Sequence, residues 1–343
     1  MIPPFDFPES YAVRRLFYSL LGLILVLAAL ASGAVYVWVH HAMALQSPTV
    51  DLSIDPGQSP REVANEVVRS GIMVNPSGLY WWFRLSGEAR KIKAGSYELD
   101  ANTTPAVLLN KLVRGEETLE SVTLIEGWNL RQVREALRNA SHLVDKSQGL
   151  SAPELMDALG RNGQLAEGHF FPDTYTYARG STDLALLQRA ARAMDRRLAN
   201  AWAQRSPQSV LQTPQEALTL ASIVEKETGR ASDRNMIAAV FHNRLRLGMR
   251  LQTDPTVIYG MGERFDGNLH KVDLQTDTPW NTYTRAGLPP TPIAMPGRAA
   301  LLAAVQPAQS NALYFVARGD GSSQFSETLS AHNTAVNKYQ RGL

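Results

Sequence analysis

The chain has 343 residues, of which 44% are hydrophobic and 19% charged, the balance of a folded protein and not of a disordered one. A net charge of +2 without a dense basic tract leaves no electrostatic footprint for nucleic acid. There is no cysteine, which excludes a disulfide framework and thiolate metal sites, and the seven histidines show no metal-ligand spacing, so neither a metal nor another cofactor is expected.

Residues 1–15 form a short polar tail ending in Arg14-Arg15. Residues 16–39 carry no charge and are long enough to span a bilayer. Tyr18 near one end, and Tyr36 and Trp38 near the other, suit the two interfaces. No Lys or Arg follows until Arg61, so the charge bias places the N-terminus in the cytoplasm and the remainder outside. The apolar run exceeds the usual core of a cleaved signal peptide, which favours an uncleaved anchor over cleavage near Ala42-Met43-Ala44.

Val50 to Ile54 alternates as a short strand. An amphipathic helix with Val63, Val67 and Val68 apolar follows and stops at Gly71. Tyr80-Trp81-Trp82-Phe83 reads as helical, with core packing the commoner use of such aromatics and sugar stacking the other. Residues 94–100 suggest a strand, and 103–115 a capped helix ending at Gly115. The layout of residues 54–63 returns in 124–133: an extended residue, then Gly57 or Gly127, then a helix start with Arg61 or Arg131. Such strand–turn–helix repetition suggests repeated small α+β modules. Residues 145–212 look mainly helical, interrupted by an aromatic, turn-rich loop at 165–180 in which Glu167 and Tyr175 read as structural.

Thr213 to Gly229 (TPQEALTLASIVEKETG) opens with Thr213 as N-cap, Pro214 at the first helical position and Glu216 completing a capping box. Ala217, Leu220, Ala221 and Val224 mark one buried face, and Gly229 suits a left-handed stop. Glu225 and Glu227 sit in the last turn, on opposite flanks of the apolar stripe. The helix dipole and the apolar surroundings raise a carboxyl's pKa there, which suits a general acid. The pattern does not choose between the two, and it equally suits two ordinary helix glutamates paired with Lys226 or Arg230. A second helix, capped by Ser232, closes at Gly248. Residues 281–297, with four prolines, form a constrained loop. Residues 312–328 read as a hairpin with a Gly-Asp-Gly turn, and a final helix is capped near Ser330.

Several of these stretches form an ordered set: ASIVEKET, NRL-x-x-GM-x-LQTDPTV-x-YG, NTY-x-x-x-GLPP-x-PI-x-x-PG, LYFVA and HN-x-AV-x-x-Y, preceded by KAGSYEL, EGW and EG-x-x-FPDTY. In this the chain closely resembles the membrane-bound endolytic murein transglycosylases, the MltG or YceG-like family, over roughly residues 48–340. The resemblance implies an α+β protein with a tail (1–15), a single transmembrane helix (16–39), a LysM-like module region (45–160) and a mixed α+β catalytic domain (161–343). It implies a single-pass protein of the bacterial inner membrane whose larger part is periplasmic. It further implies cleavage within nascent peptidoglycan strands to 1,6-anhydro-N-acetylmuramic acid ends, and partners in the wall-synthesis machinery. The family's catalytic glutamate falls on Glu225. Ser323 stands where the family often has histidine, which removes that group as an acid, base or sugar ligand.

Gln252, Thr253, Asn281 and Tyr283 are uncharged hydrogen-bonding groups suited to sugar hydroxyls and acetamides, with turn closure as the other use. Asp254, which precedes Pro255, is either an Asx-turn residue or a site carboxylate. Two other classes stay open. A hydrolytic muramidase would need a second carboxylate near Glu225, with Asp254 and Glu227 as candidates. A noncatalytic glycan-binding scaffold would tolerate loss of Glu225.

Overall fold

A computed structural model describes residues 9–227 and 230–342, with side chains from residue 16 onward. The expected helix stop at Gly229 lies outside the described residues, as does most of the N-terminal tail. The architecture is mixed α+β, and the chain divides into two compact units, Met1–Leu119 and Glu120–Leu343.

In the first unit, α1 (Glu9–His40) contains one run, Leu16–His40, long and apolar enough to cross a membrane. Every side chain from residue 16 to 37 is exposed, so no other part of the described chain covers this apolar surface, consistent with a single-pass anchor. A short strand β1 (Ala44–Leu45) leads to β2 (Thr49–Ile54), α2 (Pro60–Arg69), β3 (Ile72–Met73), α3 (Pro76–Leu85), β4 (Gly95–Asp100) and α4 (Pro105–Arg114). Strands β2 and β4 pair antiparallel from Thr49↔Asp100 to Ile54↔Gly95. Their period of two turns Val50, Leu52, Ile54, Tyr97 and Leu99 into one core with Val63, Val67, Leu79 and Phe83. Of the aromatic run, Phe83 is fully buried while Trp81 is exposed. The helices start where the sequence says: Ser59 and Glu62 form a capping box, and Asn75 accepts from the Ser77 and Gly78 N–H groups.

The second unit opens with a related order that lacks a counterpart to β3: β5 (Leu119–Thr123), α5 (Leu130–Arg138), α6 (Ala152–Ala158) and β6 (Thr174–Ala178), with β5 paired to β6. In both units a left-handed glycine, Gly57 or Gly127, turns the strand into a capping-box helix. Residues 122–159 share their core with 166–191 and Met295.

A second core surrounds α8 (Pro214–Glu227), packed by α7 (Asp183–Ala203), α9 (Arg234–Arg246), α10 (Asp254–Met261) and α12 (Arg298–Val305), with α11 (Lys271–Gln275) preceding α12 in the chain. Every residue from Ala217 to Val224 is buried, not only the four of the expected face. Thr219 and Ser222 fit this surround because their hydroxyls donate to carbonyls within the helix, at 3.0 Å and 2.7 Å. Thr213 caps the Glu216 N–H, whereas the Glu216 carboxylate takes the Gln212 N–H one residue earlier.

Two capping expectations are corrected. The N-cap of α9 is Asp233, preceded by a 3-10 turn, and the Ser232 hydroxyl donates to the Asp233 carboxylate instead of capping. The hairpin β7 (Tyr314–Ala317) and β8 (Ser323–Ser326) forms as expected, and its Ser323 N–H donates to Asp233 at 2.7 Å. The last helix, α13 (Leu329–Val336), is capped by Thr328 and not Ser330, since only the Thr328 hydroxyl reaches the third N–H of the first turn, that of Ala331.

Candidate active site

The last turn of α8 carries two carboxyl groups to two different surroundings. At about 100° per residue, Glu225 and Glu227 point to opposite sides of the helix. On the Glu225 side runs segment 293–297. Its Gly297 N–H donates to Glu225 Oε2 at 2.8 Å, and its Ile293 N–H donates to Ser222 Oγ at 3.0 Å, one turn back. The loop before α5 docks on the same segment: the Gly127 N–H reaches Met295 O at 2.9 Å, and the Met295 N–H reaches Trp128 O at 2.6 Å. Three stretches distant in sequence thus meet at one carboxyl group.

Two glycines stand where they meet, and Gly127 has a left-handed φ of 79°. A Cβ on Gly297 would collide with the carboxylate of Glu126, and a Cβ on Gly127 would lie 3.8 Å from Glu225 Cγ and 3.6 Å from Lys226 Cδ. Burial pushes the pKa of the half-buried Glu225 up, and the nearby Glu126 charge pushes the same way. The Gly297 N–H, Arg234 and Lys226 oppose.

Gly127 and Lys226 also line a cleft of about 700 Å³; Glu225 stands beside them without being part of the lining. Tyr259 and Trp280 form one aromatic wall, rings 5.4 Å apart and edge to face. The Trp280 indole N–H is fixed on Thr291 Oγ1 at 2.9 Å. Deeper in the cleft, Glu167 takes the Leu130 N–H on both oxygens, at 3.1 and 3.2 Å, and the Tyr259 hydroxyl at 3.0 Å. These donors favour the ionised form, but burial outweighs them and raises its pKa to about 7.

On the other side of α8, Glu227 accepts a hydrogen bond from the Thr253 hydroxyl. Burial raises its pKa, Thr253 and Arg244 lower it, and Asp254 raises it. A second depression of about 550 Å³ is lined by Glu227, Gln252, Thr253, Asp254, Tyr283 and neighbouring groups. The Tyr283 hydroxyl donates to Asp254 Oδ1 at 2.6 Å. Gln252 adopts a left-handed conformation at φ 51°, and its N–H donates to Thr282 O at 3.1 Å.

The expected polar residues therefore gather around Glu227, not Glu225. Asn281 joins neither depression: it is fully buried, and its amide donates to the carbonyls of Asp273, Leu274 and Thr276 while accepting from the Tyr283 N–H. Its place is to hold Tyr283. Neither Asp254 nor Glu227 faces Glu225. The carboxylate that does is Glu126, which no spacing rule singles out; only its place in EGW, among the recurring motifs, marks it. Glu167, read as structural, lines the cleft, whereas Tyr175 spends its hydroxyl on Phe171 O at 2.7 Å.

The model of the YceG-like family matches residues 52–338. An endolytic murein transglycosylase of Bacillus subtilis (strain 168) is 30% identical over 309 residues, 85% of each chain. One of Streptococcus pneumoniae (strain D39) is 28% identical over 302 residues, 78% of this chain and 54% of that longer relative, about half its length. The crystal structure of a YceG-like protein from Listeria monocytogenes superposes with a TM-score of 0.53 at 27% identity, covering 84% of this chain and 98% of that one. Matched across most of its length by family, relatives and fold alike, the chain belongs to the YceG-like family.

Proposed function

We propose that the chain is an endolytic lytic transglycosylase of peptidoglycan, with Glu225 as general acid and then general base. The observation that carries this is the setting of Glu225: a half-buried carboxyl with a raised pKa, held by one N–H donor beside an aromatic-walled cleft. Protonated Glu225 gives its proton to the bridging oxygen of the MurNAc–GlcNAc β-1,4 bond. The C1–O4 bond breaks with oxocarbenium character at C1. The C6 hydroxyl of the same muramic acid then attacks C1, its proton passes to the Glu225 carboxylate, and a 1,6-anhydro end forms without water. The tethered hydroxyl acts at high effective concentration, which removes the need for an activated water.

A second reading has one specific observation in its favour. Glu126 is a carboxylate facing Glu225, and a pair of carboxylates is the equipment of a hydrolytic muramidase. Products separate the two, because a hydrolytic end is one water heavier.

The substrate in this reading is the nascent glycan strand, whose elongation the cut would end. The apolar helix would hold the protein in the inner membrane, N-terminus inside, with the rest in the periplasm. The strand–helix–helix–strand order of residues 49–100 supports a LysM-like glycan-binding role for that unit. Association with wall-synthesis complexes follows from the resemblance alone.

The test is mass spectrometry of muropeptides released from purified peptidoglycan by the full chain in detergent, beside Glu225→Gln. Anhydro ends from the unaltered protein and none from the variant are expected. Reducing ends would make the enzyme a hydrolase, and undiminished release by Glu225→Gln would remove Glu225 from the mechanism.

A further inference from the structure

We propose that Glu126 is a positioning residue for Glu225: its carboxylate, placed across Gly297, keeps the proton on Glu225 until a glycosidic oxygen takes it. This rests on the reading of Glu225 as general acid.

The geometry is specific. Gly297 lies between the two carboxyl groups, its N–H on Glu225 and its missing side chain giving way to Glu126. Glu126 itself is exposed, and among the described residues it makes no hydrogen bond and no ion pair that would cancel its charge. An anion there disfavours a second anion on Glu225. The same repulsion serves both halves of the reaction, since it holds the acid proton beforehand and makes the Glu225 anion a better acceptor of the C6 hydroxyl proton afterwards. The groups that pull the other way are the Gly297 N–H, Arg234 from α9 and Lys226 from α8 itself. Glu126 is the nearby charge that offsets them.

The experiment is the pH dependence of kcat/KM for peptidoglycan cleavage by the full chain in detergent, where the high-pH limb reports loss of the acid proton. Glu126→Gln is expected to move that limb to lower pH, so that activity falls more at pH 8 than at pH 5. Gly297→Ala offers an independent route. Its φ of −76° accepts alanine, and the new Cβ would push the flexible end of Glu126 aside while leaving every charge in the sequence intact. The limb should move in the same direction.

A limb that stays in place in both variants overturns the proposal. So does a folded Glu126→Gln protein that is inactive at every pH, because Glu126 would then act on the substrate itself. Glu225→Gln in the same assay separates the layers. If it stays active, the reading of Glu225 fails; if it is dead while the Glu126→Gln limb is unmoved, only the present proposal fails.

Discussion

Replacing Glu167 with Gln tests the electrostatics of the cleft without touching Glu225. Its carboxyl is about nine-tenths buried and its pKa is raised from 4.5 to about 7. An acid whose folded pKa lies above its unfolded value binds its proton more tightly when folded. Its stabilising contribution is complete below about pH 4.5 and is lost as pH rises through 7. At 1.36 kcal/mol per pH unit, that interval corresponds to roughly 3 kcal/mol. Gln keeps the shape and one acceptor for the Leu130 N–H, and the Tyr259 hydroxyl can turn to accept from the new amide. At pH 5 the variant should therefore lie within about 1 kcal/mol of the parent. At pH 8 it should be the more stable of the two by roughly 3 kcal/mol. Urea unfolding followed by tryptophan fluorescence reads this, with Trp280 edge to face with Tyr259 at 5.4 Å as the local reporter. Other buried groups titrate in the same range, so the difference between the two curves is the quantity to compare. Parallel curves at pH 5 and 8 would refute the reasoning. A variant weaker by the same amount at both would show that Glu167 is ionised throughout and tied to its donors.

Two further substitutions probe the scaffold of the cleft. Gly168→Ala should cost about 2–4 kcal/mol, because its φ of +83° is left-handed and a Cβ would come within 2.5 Å of the Pro292 ring; a melting temperature unchanged from the parent would contradict this. Asn281→Ala should cost about 2–4 kcal/mol by stranding buried carbonyls and the Tyr283 N–H, whereas unchanged stability with a raised KM would show that Asn281 binds substrate.

Local signals were legible in the sequence, and long-range ones were not. The apolar anchor run, the paired strand–turn–helix units, the 314–326 hairpin and the Thr213 cap each follow from spacing within a few residues. The end of α8 was legible as a place where a carboxyl should be hard to ionise, and Glu225 and Glu227 both have raised pKa values there. What each faces depends on loops far away in the chain: 124–129 and 293–297 for one, 251–254 for the other. Glu126 carries no periodic or spacing signal, and its partner Gly297 is distant in sequence. Asn281 looked like a sugar ligand because an amide is equally suited to backbone carbonyls, and only its burial separates the two uses. The caps of α9 and α13 moved by one or two residues because the Asp233 carboxylate takes the Ser232 hydroxyl and the Thr328 hydroxyl caps in place of Ser330.

The two sides of α8 bear on where a glycan would be cut. Lys226 and Pro255 line the larger cleft, and their chain neighbours Glu227 and Asp254 line the smaller depression. The two hollows are thus built from alternate residues of the same two stretches. Among the described residues Glu225 takes one N–H and no hydroxyl, which leaves it free to exchange a proton. Glu227 is committed to Thr253 and sits under Asp254, which is itself held by Tyr283. A carboxyl locked into such a chain is suited to holding a loop, and one with a single donor is suited to turning over a proton. That difference favours the Glu225 side for bond cleavage. Gln252, Thr253, Asp254 and Tyr283 line the second hollow. On this reading Tyr283→Phe should change how tightly long strands bind while leaving the pH profile of cleavage in place. Movement of the profile would instead put Glu227 and its hydrogen-bond chain at the reacting atoms.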